Sequence, residues 1–222
     1  MAEIQALGLS QLVTMVDDKV IVGFDMKQLV EALHLDTKLH LEPSETLPVI
    51  ERALEAFEQA VRQMPNEKLE WAISMRDRSM RHFTYHVFWR VKVDMQALGT
   101  GVAPERSDAV IRSFARFEDI ADFGRTVIEQ YRAWASKQNL DDLHKPSPTK
   151  SKEETGTPGP DHYRNRNVAK SGAERLDLLA GHTIQHLRQL YSILENFGIT
   201  PQNRVRDEEW PSSYVFTRLD VE

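Results

Sequence analysis

Residues 171–198 read SGAERLDLLAGHTIQHLRQLYSILENFG and form the most regular stretch of the sequence. Mostly apolar side chains recur there at helical spacing, at Leu176, Leu179, Thr183, Leu187, Leu190 and Leu194. At about 100° per residue these positions form one continuous stripe, which predicts an amphipathic helix with one face in a core. Gly198 suits the residue just after a helix end, and Pro201 follows it. We therefore predict a helix over residues 173–197.

Two histidines on this helix, His182 and His186, are its candidate functional residues. Because they are four residues apart, they stack one turn above the other along the border of the apolar stripe. Two imidazoles so placed can hold one divalent metal ion between the helix and a neighbour. The glutamate of the H-E-x-x-H motif is absent, however, and the same spacing fits two partly exposed polar residues at a face boundary. The pair alone therefore leaves metal binding open.

The composition limits the classes of function that the chain can have. With 28 Lys and Arg against 34 Asp and Glu, the net charge is −6, which argues against a nucleic-acid partner. The sequence has no cysteine, so disulfides, thiolate ligands and a cysteine nucleophile are excluded, and a metal site must use histidine and carboxylate. We find neither an apolar run of about 20 residues nor a signal peptide, so we expect a cytoplasmic protein with no membrane contact.

Three more segments have the apolar periodicity of amphipathic helices. Each has one stripe of large apolar side chains, and together they cover residues 46–64, 78–98 and 107–136. With the segment at 173–197 they predict a mainly α protein, a four-helix bundle over residues 43–200 without strands in these segments. The second segment contains His82 and His86, and its stripe turns His86 more towards a neighbouring helix than His82.

Residues 1–42 predict a small β-hairpin and helix as an appendage to the bundle. The stretch 12–23, LVTMVDDKVIVG, has the pattern of two short strands around a turn, and a helix is predicted over residues 25–34. This region resembles the C-terminal part of glutaredoxin-like domains. The Cys-x-x-Cys of that family is missing, and Val13 stands where the family has a proline. The resemblance therefore implies a remnant that packs on the main domain or mediates dimerisation.

Two less regular regions are residues 137–170 and the tail at 201–222. The first is rich in Pro, Ser, Thr, Gly and charge, and its composition favours a long mobile linker over a flap that covers a site. The tail keeps Trp210, Tyr214 and Phe216 among polar residues, so we expect these aromatic side chains to pack on the bundle or on a second subunit. We therefore predict a homodimer.

Two motifs together resemble the DinB-like superfamily of metal-binding four-helix bundles, over about residues 45–200. They are RDRSMRHFTYHVFWRV in the second predicted helix and GHTIQHLRQLYSILENFGITP in the fourth. In that family one histidine of the second helix and an H-x-x-x-H pair of the last helix bind a divalent metal ion. The resemblance implies His86, His182 and His186 as the metal ligands, with His82 as an alternative to His86. Zinc or nickel suits such an all-nitrogen site best, and iron is a further option.

Members of this superfamily with known activities act with low-molecular-weight thiols, as thiol S-transferases or thiol-dependent isomerases. The metal lowers the pKa of the thiol, so the nucleophile belongs to the cosubstrate, which fits a chain without cysteine. The resemblance thus implies a metal-dependent enzyme that acts on a small thiol and a small electrophile. Two alternatives stay open: a metal-dependent hydrolase with the same ligands, and a non-catalytic, metal-stabilised interaction module.

Overall fold

The computed structural model describes residues 13–16, 19–22, 32–33, 41–73, 78–100, 104, 107–146 and 171–214. The chain divides into a larger unit, residues 42–210, and a smaller unit, residues 1–41 with 211–222. Within the described residues the protein is mainly helical, with six α-helices and two small antiparallel sheets of two strands each. The predicted mainly α class is therefore confirmed.

Four long helices make up most of the larger unit. Its helices are α1 (Pro43–Arg62), α2 (Met80–Thr100), α3 (Asp108–Ser113), α4 (Phe117–Ala135), α5 (Leu140–Leu143) and α6 (Gly172–Asn196). Helices α1 and α2 each pack against both α4 and α6. The contacting faces carry fully buried side chains, which include Leu54, Phe57, Phe88, Phe117, Ile120, Tyr131, Leu176 and Leu187. The core therefore lies where the predicted apolar stripes meet.

The helix predicted over residues 173–197 is present as α6, Gly172–Asn196. Ser171 caps its start, where the hydroxyl accepts a hydrogen bond from the backbone N–H of Glu174 at 3.2 Å. Beyond its end Gly198 has a φ of +74°, a left-handed conformation that glycine adopts without strain. Both ends of this helix thus follow from local sequence signals.

The prediction of one continuous helix over residues 107–136 is wrong. The structure has α3 and α4 instead, and the backbone at Arg116 between them is extended, with φ −141° and ψ 161°. The Asp119 carboxylate accepts a hydrogen bond from the N–H of Arg116 at 2.9 Å. The N–H of Phe117 donates to the side-chain oxygen of Asn66 at 2.8 Å. These bonds begin a new helix at Phe117, and an apolar stripe does not reveal them.

The prediction of a main unit without strands is also wrong at one point. Two short strands, β3 (Ala72–Ile73) and β4 (Arg78–Ser79), pair antiparallel before α2. The helix predicted from residue 78 therefore begins at Met80, whose N–H donates to the carbonyl of Trp71 at 3.0 Å. This hydrogen bond connects the short hairpin directly to the first turn of α2.

Part of the linker predicted over residues 137–170 is structured. Helix α5 begins after Asn139, whose side chain caps it. Leu143 of this helix is buried and packs on Gly172 at the start of α6, where an added Cβ would lie 3.0 Å from Leu143 Cδ2. The linker prediction is therefore wrong for its first part, and residues 147–170 lie outside the described residues.

The smaller unit contains the predicted N-terminal hairpin. Strand β1 (Val13–Val16) pairs antiparallel with β2 (Lys19–Val22), with Val13 opposite Val22. The helix predicted over residues 25–34 lies almost wholly outside the described residues, and so does Phe216 of the tail. In the larger unit, Trp210 is buried and the guanidinium of Arg52 lies 5.3 Å from its ring centroid.

Candidate metal centre

Three histidines from two helices lie together in the larger unit. His86 is on α2, and His182 and His186 are on neighbouring turns of α6. One ring nitrogen of each histidine lies within 4.8 Å of those of the other two, and all three residues are half-buried. In the described part of the chain, this is the one group of three or more His, Asp or Glu residues that can hold a metal ion. The structure thus brings together the three histidines that the sequence predicted.

Helices α2 and α6 run antiparallel where these histidines meet. His86 Nε2 lies 3.1 Å from His182 Nε2. Two turns further along α2, Asp94 accepts a hydrogen bond from Arg175 Nη1 at 3.0 Å, and Arg175 lies two turns before His182 on α6. These two contacts set the rotation of both helices, so that His86 faces α6.

The distance between the His86 and His182 Nε2 atoms fits two ligands of one ion. Two nitrogens bound to zinc at about 2.0–2.1 Å and at a tetrahedral angle lie roughly 3.3 Å apart. The observed distance is 3.1 Å. Without an ion, one of these nitrogens carries a hydrogen and the other accepts it. An ion would take the place of that hydrogen without a large movement of either ring.

Gln189, one turn further along α6, orients the ring of His186. The Gln189 amide oxygen lies 2.6 Å from His186 Nδ1, so we assign Nδ1–H as the donor and leave the lone pair on Nε2. A hydrogen bond of this kind fixes a metal-binding imidazole and raises its basicity. The ring of Phe83 packs edge-on against His186, with centroids 5.2 Å apart. The Nε2 atom is therefore the one that His186 offers to an ion.

The surroundings of His182 keep its imidazole neutral. Burial is the main reason that the pKa of His182 falls from 6.5 to about 2, and the two neighbouring imidazoles and the charge of Arg90 lower it further. Its Nδ1 is buried and has no hydrogen-bond partner among the described residues. Because neutral imidazole is the form that binds metal, His182 does not first have to lose the second proton of an imidazolium.

His82, the alternative ligand on α2, lies outside the group. Its Nδ1 is 3.2 Å from the hydroxyl of Ser79, in strand β4. Positions four apart on a helix are one turn apart and differ by about 40° in direction. His86 contacts His182 of α6, while His82 contacts Ser79 of the short hairpin.

A buried ion-pair cluster continues the polar stripe of α2 beyond the histidines. Asp94 is fully buried and accepts hydrogen bonds from Arg90 Nε at 2.7 Å and from Arg175 Nη1 at 3.0 Å. Arg90 and Asp94 follow His86 at intervals of four residues, so all three lie on one face of the helix. Our sequence analysis missed this cluster, and the spacing H-x-x-x-R-x-x-x-D was the signal that could have found it.

Comparison with models of known protein families gives no match, and comparison with curated proteins gives none either. None of the described helices has the length and hydropathy that a membrane span requires. The case for a function therefore comes from the histidine group and its neighbours.

Proposed function

We propose that this chain is a metal-dependent enzyme of the DinB-like type, with His86, His182 and His186 as ligands of one divalent ion. The observation that carries the proposal is the meeting of three imidazoles from two helices, with two Nε2 atoms 3.1 Å apart. Imidazole nitrogens without thiolate suit zinc or nickel best, and iron is the third choice. In this proposal α1, α2, α4 and α6 are the four helices of the family's bundle.

Three protein ligands leave room for a substrate. Structural zinc sites have four protein ligands, whereas catalytic sites have three and keep a position for water or substrate. Within the described residues, no carboxylate belongs to the histidine group. The three histidines are half-buried, so each keeps some contact with solvent. These features favour an enzyme over a metal-stabilised interaction module.

The reaction that fits best is S-transfer or isomerisation with a small thiol as cosubstrate. A divalent ion, when bound, lowers the pKa of a thiol at its open position. The chain has no cysteine, so the nucleophile has to come from another molecule. The chain itself supplies a ready ligand set, because Gln189 holds the His186 ring and His182 is already neutral.

Metal analysis and a thiol assay test the proposal. Protein purified without a His-tag should contain zinc or nickel by elemental analysis, and the His182→Ala variant should not. The metal-loaded protein should speed up the reaction of a low-molecular-weight thiol with a chloroarene, followed by the loss of free thiol. Ester or amide hydrolysis without thiol consumption would identify a hydrolase instead. Wild-type protein that binds none of zinc, nickel and iron would contradict the proposal.

The homodimer and the cytoplasmic location expected from the sequence stay predictions. Light scattering at micromolar concentration tests the first, and a monomer mass would contradict it. Neither bears on the proposed metal centre, because its three ligands come from one chain.

A further inference from the structure

Arg90 lies one turn after His86 on the face of α2 that carries the histidine group. Its Nε donates to Asp94 Oδ2 at 2.7 Å, and the Asp94 side chain is 1% exposed. The other Asp94 oxygen accepts a hydrogen bond from Arg175, so Asp94 is held from two sides. A carboxylate fixed in this way fixes the guanidinium of Arg90 in turn.

The two terminal nitrogens of Arg90 have no acceptor among the described residues. The Arg90 side chain is 30% exposed, so its guanidinium can be reached from solvent. The end of a guanidinium presents two parallel N–H groups, which match the two oxygens of a carboxylate. Arg90 therefore has the geometry of an anion-binding group.

Arg62 on α1 shows the same arrangement at the contact between α1 and α4. Its side chain is also 30% exposed, and its Nε donates at 2.6 Å to the nearly buried carboxylate of Glu58, four residues away. Unlike Arg90, however, Arg62 also donates from Nη2 to a second carboxylate, that of Asp122, at 2.6 Å. In Arg62 a terminal nitrogen of the guanidinium is thus paired within the protein. In Arg90 the terminal nitrogens are left for a ligand.

The histidine group lies within reach of a small ligand on Arg90. Four residues of helix rise by about 6 Å, which is the distance along the helix axis between the backbone of His86 and that of Arg90. The charge of Arg90 is also one of the causes that lower the pKa of His182, as expected of a near neighbour. A molecule of a few atoms can thus contact the histidine centre at one end and the guanidinium at the other.

We propose that Arg90 binds a carboxylate of the substrate at the three-histidine centre, and that Asp94 is the residue that positions Arg90. This inference rests on the proposed function and narrows it to thiols or electrophiles with a carboxylate a few bonds from the reacting atom. The partly buried setting strengthens the contact, because water screens the charges less there.

Cobalt(II)-loaded protein tests this inference before the substrate is known. The visible absorption bands of cobalt shift when a ligand enters its coordination sphere, so a titration with succinate gives a dissociation constant. Arg90→Gln should weaken succinate binding about tenfold or more, because it removes a charge-assisted contact. Arg90→Lys should lie in between, because it keeps the charge and loses the planar fork.

Arg62→Gln is the matched control, since Arg62 has the same exposure and the same kind of Nε contact as Arg90. This variant should bind both cobalt and succinate like the wild type. Inorganic phosphate is the second probe, and phosphate binding that is tighter than succinate binding and depends on Arg90 would overturn the carboxylate assignment.

The outcomes separate this inference from the proposed function. If the wild type takes up no cobalt, both are wrong. If it takes up cobalt and Arg90→Gln binds succinate as tightly as the wild type, only the role of Arg90 is wrong. If Arg90→Gln does not fold, modification of the cobalt-loaded wild type with phenylglyoxal replaces it: succinate should slow the modification of Arg90 and not of Arg62. Equal protection of both arginines would contradict the inference.

Discussion

The α1–α4 face and the α2–α6 face of the larger unit each contain a nearly buried carboxylate, Glu58 and Asp94 respectively. Each carboxylate pairs with two arginines, and one of them is four residues away on the same helix, Arg62 for Glu58 and Arg90 for Asp94. At the α1–α4 face a further carboxylate takes up the end of Arg62. At the α2–α6 face the polar stripe continues into three imidazoles instead.

The difference teaches that a buried charge does not by itself mark a functional site. Both faces have one, and both use it to join two helices. Only the α2–α6 face combines it with three imidazoles that can hold a metal ion and with a guanidinium whose end is left unpaired by the described residues. Changes at the α1–α4 face should therefore alter stability alone, whereas changes at the α2–α6 face should also alter binding.

The largest expected effect is the loss of stability in Asp94→Ala. It should lower the free energy of unfolding by about 3–5 kcal/mol, because it leaves Arg175, whose side chain is only 13% exposed, without its carboxylate. Glu58→Ala should cost less, since its partners Arg62 and Arg125 are 30% and 60% exposed and can turn to water. Urea denaturation measures both, and equal losses would mean that the two faces have the same structural role.

The next effect is the loss of metal in His186→Ala. This variant should bind zinc more than about 100-fold less tightly, because a two-histidine site lacks the ligands that a stable zinc centre needs. Competition with a chromogenic chelator measures the affinity, and circular dichroism should show unchanged helicity. His82→Ala is the control on α2, since His82 contacts Ser79 and not the histidine group. Loss of zinc in His82→Ala, with zinc retained in His86→Ala, would contradict the assigned ligands.

A smaller loss of metal should follow from a change of Gln189. Its oxygen holds His186 Nδ1 at 2.6 Å, so Gln189→Ala frees the ring and should weaken zinc binding by about 10–100-fold. Gln189→Glu keeps an acceptor there and should restore most of the affinity. Gln63→Ala is the control, because Gln63 accepts a backbone hydrogen bond from Gln202 and lies at the C-terminal cap of α1. Equal zinc affinities in all three variants would remove Gln189 from the site.

The fold could be predicted where an apolar stripe coincides with local start and stop signals. Helix α6 is the clearest case, because Ser171 and Gly198 are each next to the helix end that they determine. The break before Phe117 could not be predicted, because it depends on Asn66, which is 51 residues away in the chain. The strands β3 and β4 are only two residues long, so the alternation of apolar and polar residues that marks a strand cannot be recognised in them.

The grouping of the three histidines could be predicted, but not their surroundings. Spacing places His182 and His186 on one flank of a helix, the α2 stripe favours His86 over His82, and the resemblance to the DinB-like superfamily implies the three as ligands. Gln189 has no such signal, because a polar residue three positions from a histidine is common on any helix. The H-x-x-x-R-x-x-x-D spacing of Arg90 does not show that Asp94 is buried. The role of Gln189 depends on its 2.6 Å contact with His186, and the role of Arg90 depends on the buried carboxylate of Asp94.

The smallest expected effect is a loss of stability of the metal-free protein in mild acid, and it comes from the α2–α6 face. The pKa of His182 is lowered in the folded state from 6.5 to about 2. Between these values the unfolded chain binds a proton that the folded chain does not, so the free energy of unfolding falls as the pH falls below about 6.5. At the α1–α4 face, the hydrogen bond from Arg62 lowers the pKa of Asp122 below 3.8, so its contribution is lost only in stronger acid.

Between pH 7 and pH 5, the stability contribution of the α2–α6 face should therefore change, whereas that of the α1–α4 face should not. Within this pH interval the protonation of His182 should remove up to about 2 kcal/mol from the free energy of unfolding, measured by urea denaturation of chelator-treated protein. His182→Gln should have a flatter pH profile, because its amide does not titrate, and Asp122→Asn should keep the slope of the wild type. If His182→Gln keeps that slope as well, another group causes it. The neutral state of His182 would then not distinguish the α2–α6 face from the α1–α4 face.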